Sequence, residues 1–191
     1  MTRFSKPSLN KLPKTALPPI VLIVGKSGSG KTTIMEKLIS ELNRYGLRIG
    51  SIKHHPGEFD LDLPGKDSWR HKKAGAAISI ISAPHKIGIV MDVDHDLNPA
   101  ELTKFFPDVE LILAEGYKRG NHPKVEIFRP EIHKEPFCRG DDQLIALVTD
   151  GDTLPGVPGF KTSEIKKLAR FLVDRFHLCE KKGKEPRNPF Q

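Results

Sequence analysis

The spacing Gly25-x-x-x-x-Gly30-Lys31-Thr32, within the run IVLIVGKSGSGKTT over residues 20–33, gathers the groups that hold a polyphosphate. Glycines at Gly25, Gly28 and Gly30 let the backbone curl so that successive N–H groups point inward at anionic oxygens. A helix opening at Lys31 adds free N–H donors and a partial positive charge. The ammonium of Lys31 is placed to reach the β- and γ-phosphates, and the Thr32 hydroxyl to hold a Mg²⁺ that bridges them. Lys26, Ser27, Ser29 and Thr33 complete the loop.

A second acid is expected where such chemistry is carried out, at the end of another buried strand. Glu115-Gly116 follows the apolar run VELILA and meets that expectation, with Glu in place of the more usual Asp. Gly116 is placed to bring its N–H near a γ-phosphate. The segment from His54 to Arg70 concentrates histidines, acids and one tryptophan where no core can form, and reads either as a mobile segment that closes over a triphosphate or a second ligand or as a solvated loop. Its spacing matches no zinc or calcium pattern. Base selection is less defined, because no Asn-Lys-x-Asp motif is present. Asp150, after the strand LIALVT, is the nearest group able to accept both guanine N1–H and N2–H, and it reads equally well as a turn residue.

The elements that carry these residues follow from hydrophobic period. Strands are predicted over 20–25, 48–53, 109–114, 124–129 and 144–149. Helices are predicted over 31–45 (stopped at Gly46), 67–75, 99–106 (capped by Asn98, with Pro99 in first position) and 163–178 (capped by Ser163). Strands 77–82 and 87–92, joined by Pro84-His85-Lys86, predict an antiparallel hairpin. Residues 54–66 and 130–142 read as loops. The sum is an α/β chain: a three-layer, P-loop NTPase-like domain over 19–178 with a mainly parallel sheet, whose ligands sit beyond the carboxyl ends of the strands. Residues 1–18 read as a flexible basic leader and 179–191 as a flexible basic tail.

The net charge of +7 lies mostly in those two ends. Arg3, Lys6, Lys11 and Lys14 give the leader four positive charges. Residues 180–191 carry a net two, which leaves about one for the body. The body therefore offers no basic face for nucleic acid, and no aromatic-rich RNA motif is present. No apolar run approaches the ~20 residues that span a bilayer, and no signal peptide is evident. Cys138 and Cys179 match no ligand or redox spacing, so a reducing, cytoplasmic setting is expected.

The phosphate loop, Ile52-Lys53-His54, Asp60-x-Asp62-x-Pro64-Gly65-Lys66-Asp67-Ser68, Ala74-Gly75-Ala76 and Leu113-x-Glu115-Gly116-Tyr117-Lys118 together resemble the MobB family of molybdopterin-guanine dinucleotide biosynthesis adapter proteins. The resemblance covers about residues 19–178. It implies a dimeric GTP-binding protein with weak GTPase activity that assists the guanylyltransferase MobA, which attaches GMP to molybdopterin. It also implies that Gly25 to Thr33 bind phosphates, that Thr32 and Glu115 serve Mg²⁺, and that Asp62, Lys66 and Asp67 shape the site, with Asp67 a further metal or water ligand. Molybdopterin is a further ligand to test. GTP over ATP rests mainly on this resemblance. Lys26 is either an exposed loop lysine or a group reaching the nucleotide of a second copy.

Hydrolysis should be slow, since no glutamine follows Glu115-Gly116 and no arginine finger in cis is evident; such an arginine contributes about 10³–10⁵ in rate. Two other readings remain open from the residues. One is a P-loop small-molecule kinase whose acceptor is held by Asp62, Asp67, Arg70 or His71, although no arginine-rich lid follows residue 115. The other is a binding module that recruits partners through its basic ends.

Overall fold

The computed structural model describes residues 17–178, so both expected basic ends fall outside the described residues, apart from Leu17 and Pro18. The chain divides into two compact units, one running up to His54 and resuming at Asn98, the other His55–Leu97.

The first unit is built on six parallel strands. These are β1 (Ile20–Val24), β2 (Ile49–Lys53), β5 (Leu111–Glu115), β6 (Lys124–Ile127), β7 (Leu144–Val148) and β8 (Gly159–Phe160), in the order β2-β5-β1-β6-β7-β8. β1, β5 and β7 are buried along their whole length, as apolar strands covered on both faces must be. Helices α1 (Lys31–Arg44) and α3 (Ile165–Arg175) pack on one face. Ile34, Leu38 and Leu42 of α1 meet Leu168, Ala169 and Leu172 of α3 in the larger core, each repeating at the three- and four-residue spacing that puts side chains on one helix face. A second cluster, Leu22, Val24, Ile112 and Ala114 with Cys138 and Leu144, fills the opposite face, where Leu102, Phe106 and Tyr117 pack against it.

The second unit holds α2 (Asp67–Lys73) and the hairpin β3 (Ile78–Ala83) and β4 (Lys86–Met91), paired antiparallel with Ile78 opposite Met91 and Ala83 opposite Lys86.

Three expectations change at element ends. The segment expected as a helix over 99–106 is a 3-10 helix confined to Glu101–Phe105. Pro107 disfavours helical backbone at Phe106, so no second turn can form. Asn98 still satisfies the start: its Oδ1 accepts from the N–H of Ala100 (2.9 Å) and Glu101 (3.2 Å), while Glu101 Oε2 accepts from the Asn98 N–H (2.8 Å). The cap of α3 is Glu164 rather than Ser163, and no side chain bonds there. The preceding turn is closed by Glu164 itself, which accepts from the Lys161 N–H at 2.9 Å. The two-residue β8 has no counterpart among the predicted strands, being too short to carry a period.

Candidate functional site

The carboxyl end of β1 delivers the chain into the loop Gly25–Gly30. Gly25, Gly28 and Gly30 take φ of 143°, 77° and 88°, conformations open to glycine and costly for other residues. Gly25 is doubly constrained, because a Cβ there would collide with the Ile127 carbonyl oxygen and stand 2.8 Å from Ser29 Oγ. Gly30 forms the N-cap of α1 without any side-chain cap, and the first N–H of that helix to find an acceptor is that of Ile34, on the Gly30 carbonyl at 3.0 Å. The N–H groups of Lys31, Thr32 and Thr33 are thus left for an anion. The hydroxyl of Ser29 is buried inside the loop with no hydrogen-bond partner, a polar atom left unsatisfied in the protein alone.

Lys31 folds back and donates to the Lys26 carbonyl at 2.8 Å. Burial pushes its ammonium below the ordinary lysine range; Glu115 opposes that shift, and Lys118 and Lys53 reinforce it. The negative charge of a phosphate beside Lys31 would offset both its desolvation and its repulsion from Lys118 and Lys53. Lys26 contributes its carbonyl to this closed arrangement, which also accepts from the Ser29 N–H at 3.3 Å.

Glu115 closes β5, and the parallel register pairs it with Ile23 of β1 and Lys53 of β2. The buried carboxylate is ion-paired to Lys53 Nζ at 2.5 Å and receives the Thr32 hydroxyl at 3.3 and 3.4 Å. Two oxygens that share one Mg²⁺ as adjacent ligands at ~2.1 Å stand about 3 Å apart, so Thr32 and Glu115 fit a magnesium ion after a small inward movement. Lys53 supplies the positive charge there in the protein alone.

Gly116 has φ 111°, and a Cβ would stand 2.9 Å from that of His54. Its N–H donates to the Ile23 carbonyl at 3.2 Å, so in this conformation it serves the sheet rather than pointing at a phosphate. His54 and Tyr117 stack beside it with centroids 4.2 Å apart.

Asp150 follows β7. Its carboxylate receives the Thr162 N–H (3.0 Å) and hydroxyl (2.6 Å), and these bonds hold its pKa below the ordinary carboxylate range. The acid expected to read guanine is therefore already engaged, although each oxygen retains a second lone pair.

Asp62, Lys66 and Asp67 belong to the second unit. Ser68 Oγ donates to Asp62 Oδ1 at 3.0 Å, while Asp62 Oδ2 is buried without a partner. Lys66 is the N-cap of α2 and Asp67 its first residue. An open recess of about 570 Å³ is lined by Asp67, Trp69, Arg70, His71, Lys73 and Ala74.

One neighbour of the loop is missing from the sequence reading. A Cβ on Gly30 would stand 3.0 Å from Arg129 Nη2. Arg129 read as no more than the end of a strand, and only the pairing of β6 with β1 brings it to the loop.

Residues 20–150 match the family model described as MobB, Molybdopterin guanine dinucleotide synthesis protein B. The chain belongs to the MobB family. It is 36% identical over 161 residues to the molybdopterin-guanine dinucleotide biosynthesis adapter protein of Haemophilus influenzae, covering 83% of this chain and 90% of that one. It is 32% identical to the protein of the same name from Escherichia coli, over 82% of this chain and 92% of that one. Among solved structures, Bacillus subtilis MobB superposes with a TM-score of 0.64 at 28% identity, covering 86% of this chain and 99% of that one. The matched span holds the phosphate loop, Glu115 and Arg129, so the candidate site lies inside the part of the chain that makes it a MobB family member.

Proposed function

We propose that this chain is a GTP-binding adapter of molybdenum cofactor biosynthesis that assists the guanylyltransferase attaching GMP to molybdopterin, with slow GTP hydrolysis of its own. The observation that carries the reading is a glycine-built cradle with open N–H groups and a buried unsatisfied hydroxyl, inside a chain of the MobB family.

The loop N–H groups at the start of α1 bind the phosphate oxygens, and Lys31 leaves the Lys26 carbonyl to reach them. Thr32 and Glu115 would hold Mg²⁺, which when bound neutralises charge across the β- and γ-phosphates. Lys53 would yield its place on Glu115 to that ion and turn to solvent, which its exposure permits. No glutamine follows Glu115-Gly116 to orient a water, so the bound triphosphate is held longer than it is spent, as suits an adapter. Asp150 is the base-reading candidate, on condition that Thr162 shares it. The recess around Trp69 and Arg70 combines an aromatic face with cations, the chemistry that a pterin bearing a phosphate would need.

The test is reconstitution. Transfer of GMP to molybdopterin by the guanylyltransferase is measured with and without this chain and with Lys31→Ala. Stimulation by the wild type, lost in the variant, supports the adapter role. Identical transfer in all three mixtures rejects it.

A further inference from the structure

The turn after β6 is pinned against the phosphate loop on several sides. The Phe128 N–H donates to the Val148 carbonyl at 2.9 Å. The Arg129 carbonyl accepts from the N–H of Ile132 (3.3 Å) and His133 (3.0 Å), which closes a helical turn. His133 Nε2 lies 3.1 Å from the Ser27 carbonyl oxygen, the geometry of a hydrogen bond in which the ring nitrogen donates. The Ile132 side chain lies against Gly28, where a Cβ would stand 3.6 Å from its Cδ1. Pro130 sits close over Gly151, 2.8 Å from where a Cβ would stand.

The guanidinium carried by this fixed backbone is free by contrast. It lies over Gly30, with Nη2, Cζ and Nε at 3.0, 3.5 and 3.6 Å from a Cβ built there. Among the described residues its side chain forms no hydrogen bond or ion pair, and Arg129 is exposed. Its charge is felt at Asp150, where it adds a smaller downward push to that of the Thr162 bonds. An arginine with a rigid base, an unengaged fork and a polyphosphate cradle beneath it has the form of an anion ligand. The planar fork can take two phosphate oxygens at once, which a lysine cannot.

We infer that Arg129 binds the phosphate chain of the nucleotide held at Gly25–Thr33, supplying in cis an arginine that the motif pattern does not reveal. The inference rests on the reading of that loop as a triphosphate site. It differs from a base contact, because the guanidinium lies over the loop itself. With an arginine present in cis, the slow hydrolysis proposed above rests on the lack of a glutamine after Glu115-Gly116 to orient water.

Displacement of a fluorescent GTP analogue, in the presence of Mg²⁺, by GTP and by tripolyphosphate separates the possibilities. The proteins are the wild type, Arg129→Ala and Arg129→Lys, each checked for an unchanged melting curve. Arg129→Ala is expected to weaken GTP and tripolyphosphate alike by about tenfold or more, with Arg129→Lys in between. Equal binding of both ligands by wild type and Arg129→Ala would overturn the inference and leave the loop's role intact. So would a loss of GTP with tripolyphosphate unchanged, which would assign Arg129 to the base. If the wild type captures neither the analogue nor tripolyphosphate, the triphosphate reading itself fails and this inference with it.

Discussion

Lys124 is a buried charge held by one acid, Asp141. The Lys124 side chain, at the start of β6, is 5% exposed and ion-paired to Asp141 Oδ2 at 2.6 Å. The carboxylates near it serve other ends: Glu126, also buried, accepts the N–H groups of Phe137 (2.6 Å) and Cys138 (2.8 Å). Burial, with Glu126 nearby, pushes the Cys138 thiol up to about 12, so it stays protonated and unreactive at neutral pH. The Lys124 hydrogen bond holds the Asp141 carboxyl below the ordinary carboxylate range. An unfolded Asp takes up its proton near pH 3.9, and the folded one at a lower pH. The pair's contribution is therefore complete above about pH 4 and lost as pH falls through the folded value. Asp141→Asn should cost about 2 kcal/mol at neutral pH, less than a fully enclosed pair because Asp141 keeps one open side. Urea unfolding of both proteins at pH 7 and in steps below pH 4 checks this; the gap should narrow with acid, and a constant gap would contradict it.

Elements with a strong local signal were legible from the chain, while those set by their neighbours were not. β1, β5 and β7 are apolar throughout and needed no context, and the hairpin declared itself by two short strands around Pro84-His85. The glycine turn after β1 and the meeting of Thr32 with Glu115 at the end of β5 were legible because the motif's spacing and the strand-end position of the acid place them there. The 3-10 helix was misjudged because Asn98 and Pro99 resemble a helix start, whereas Pro107 sets the outcome eight residues later. Ser163 is a good cap by type, but Glu164 closes the turn first through the Lys161 N–H. Arg129 as a neighbour of the loop, and Lys53 as the ion-pair partner of Glu115, were invisible for one reason. Each reaches the loop or Glu115 only through sheet order, β6 beside β1 and β2 beside β5, which no local pattern encodes.

At the scale of the molecule, the hairpin of the second unit is apolar without being covered. Ile78, Ile80, Ile81, Ile87 and Ile89 are 42–64% exposed, on both faces of a two-stranded sheet that is marginal by itself. We propose that a second copy of the chain covers it, giving the homodimer that the resemblance implies. Light scattering should then return twice the chain mass for the wild type and a shift toward the monomer for Ile80→Glu with Ile87→Glu. A monomeric wild type would contradict the dimer. In the proposed function, Gly25–Thr33 hold a guanine nucleotide. Calorimetric titration with GTP and ATP in the presence of Mg²⁺, for wild type and Lys31→Ala, tests it most directly. The wild type should bind GTP more tightly than ATP, and the variant should lose about 10- to 100-fold, the scale of one hydrogen bond to a charged group. Equal or tighter binding of ATP, or GTP binding untouched by the loss of Lys31, would contradict it.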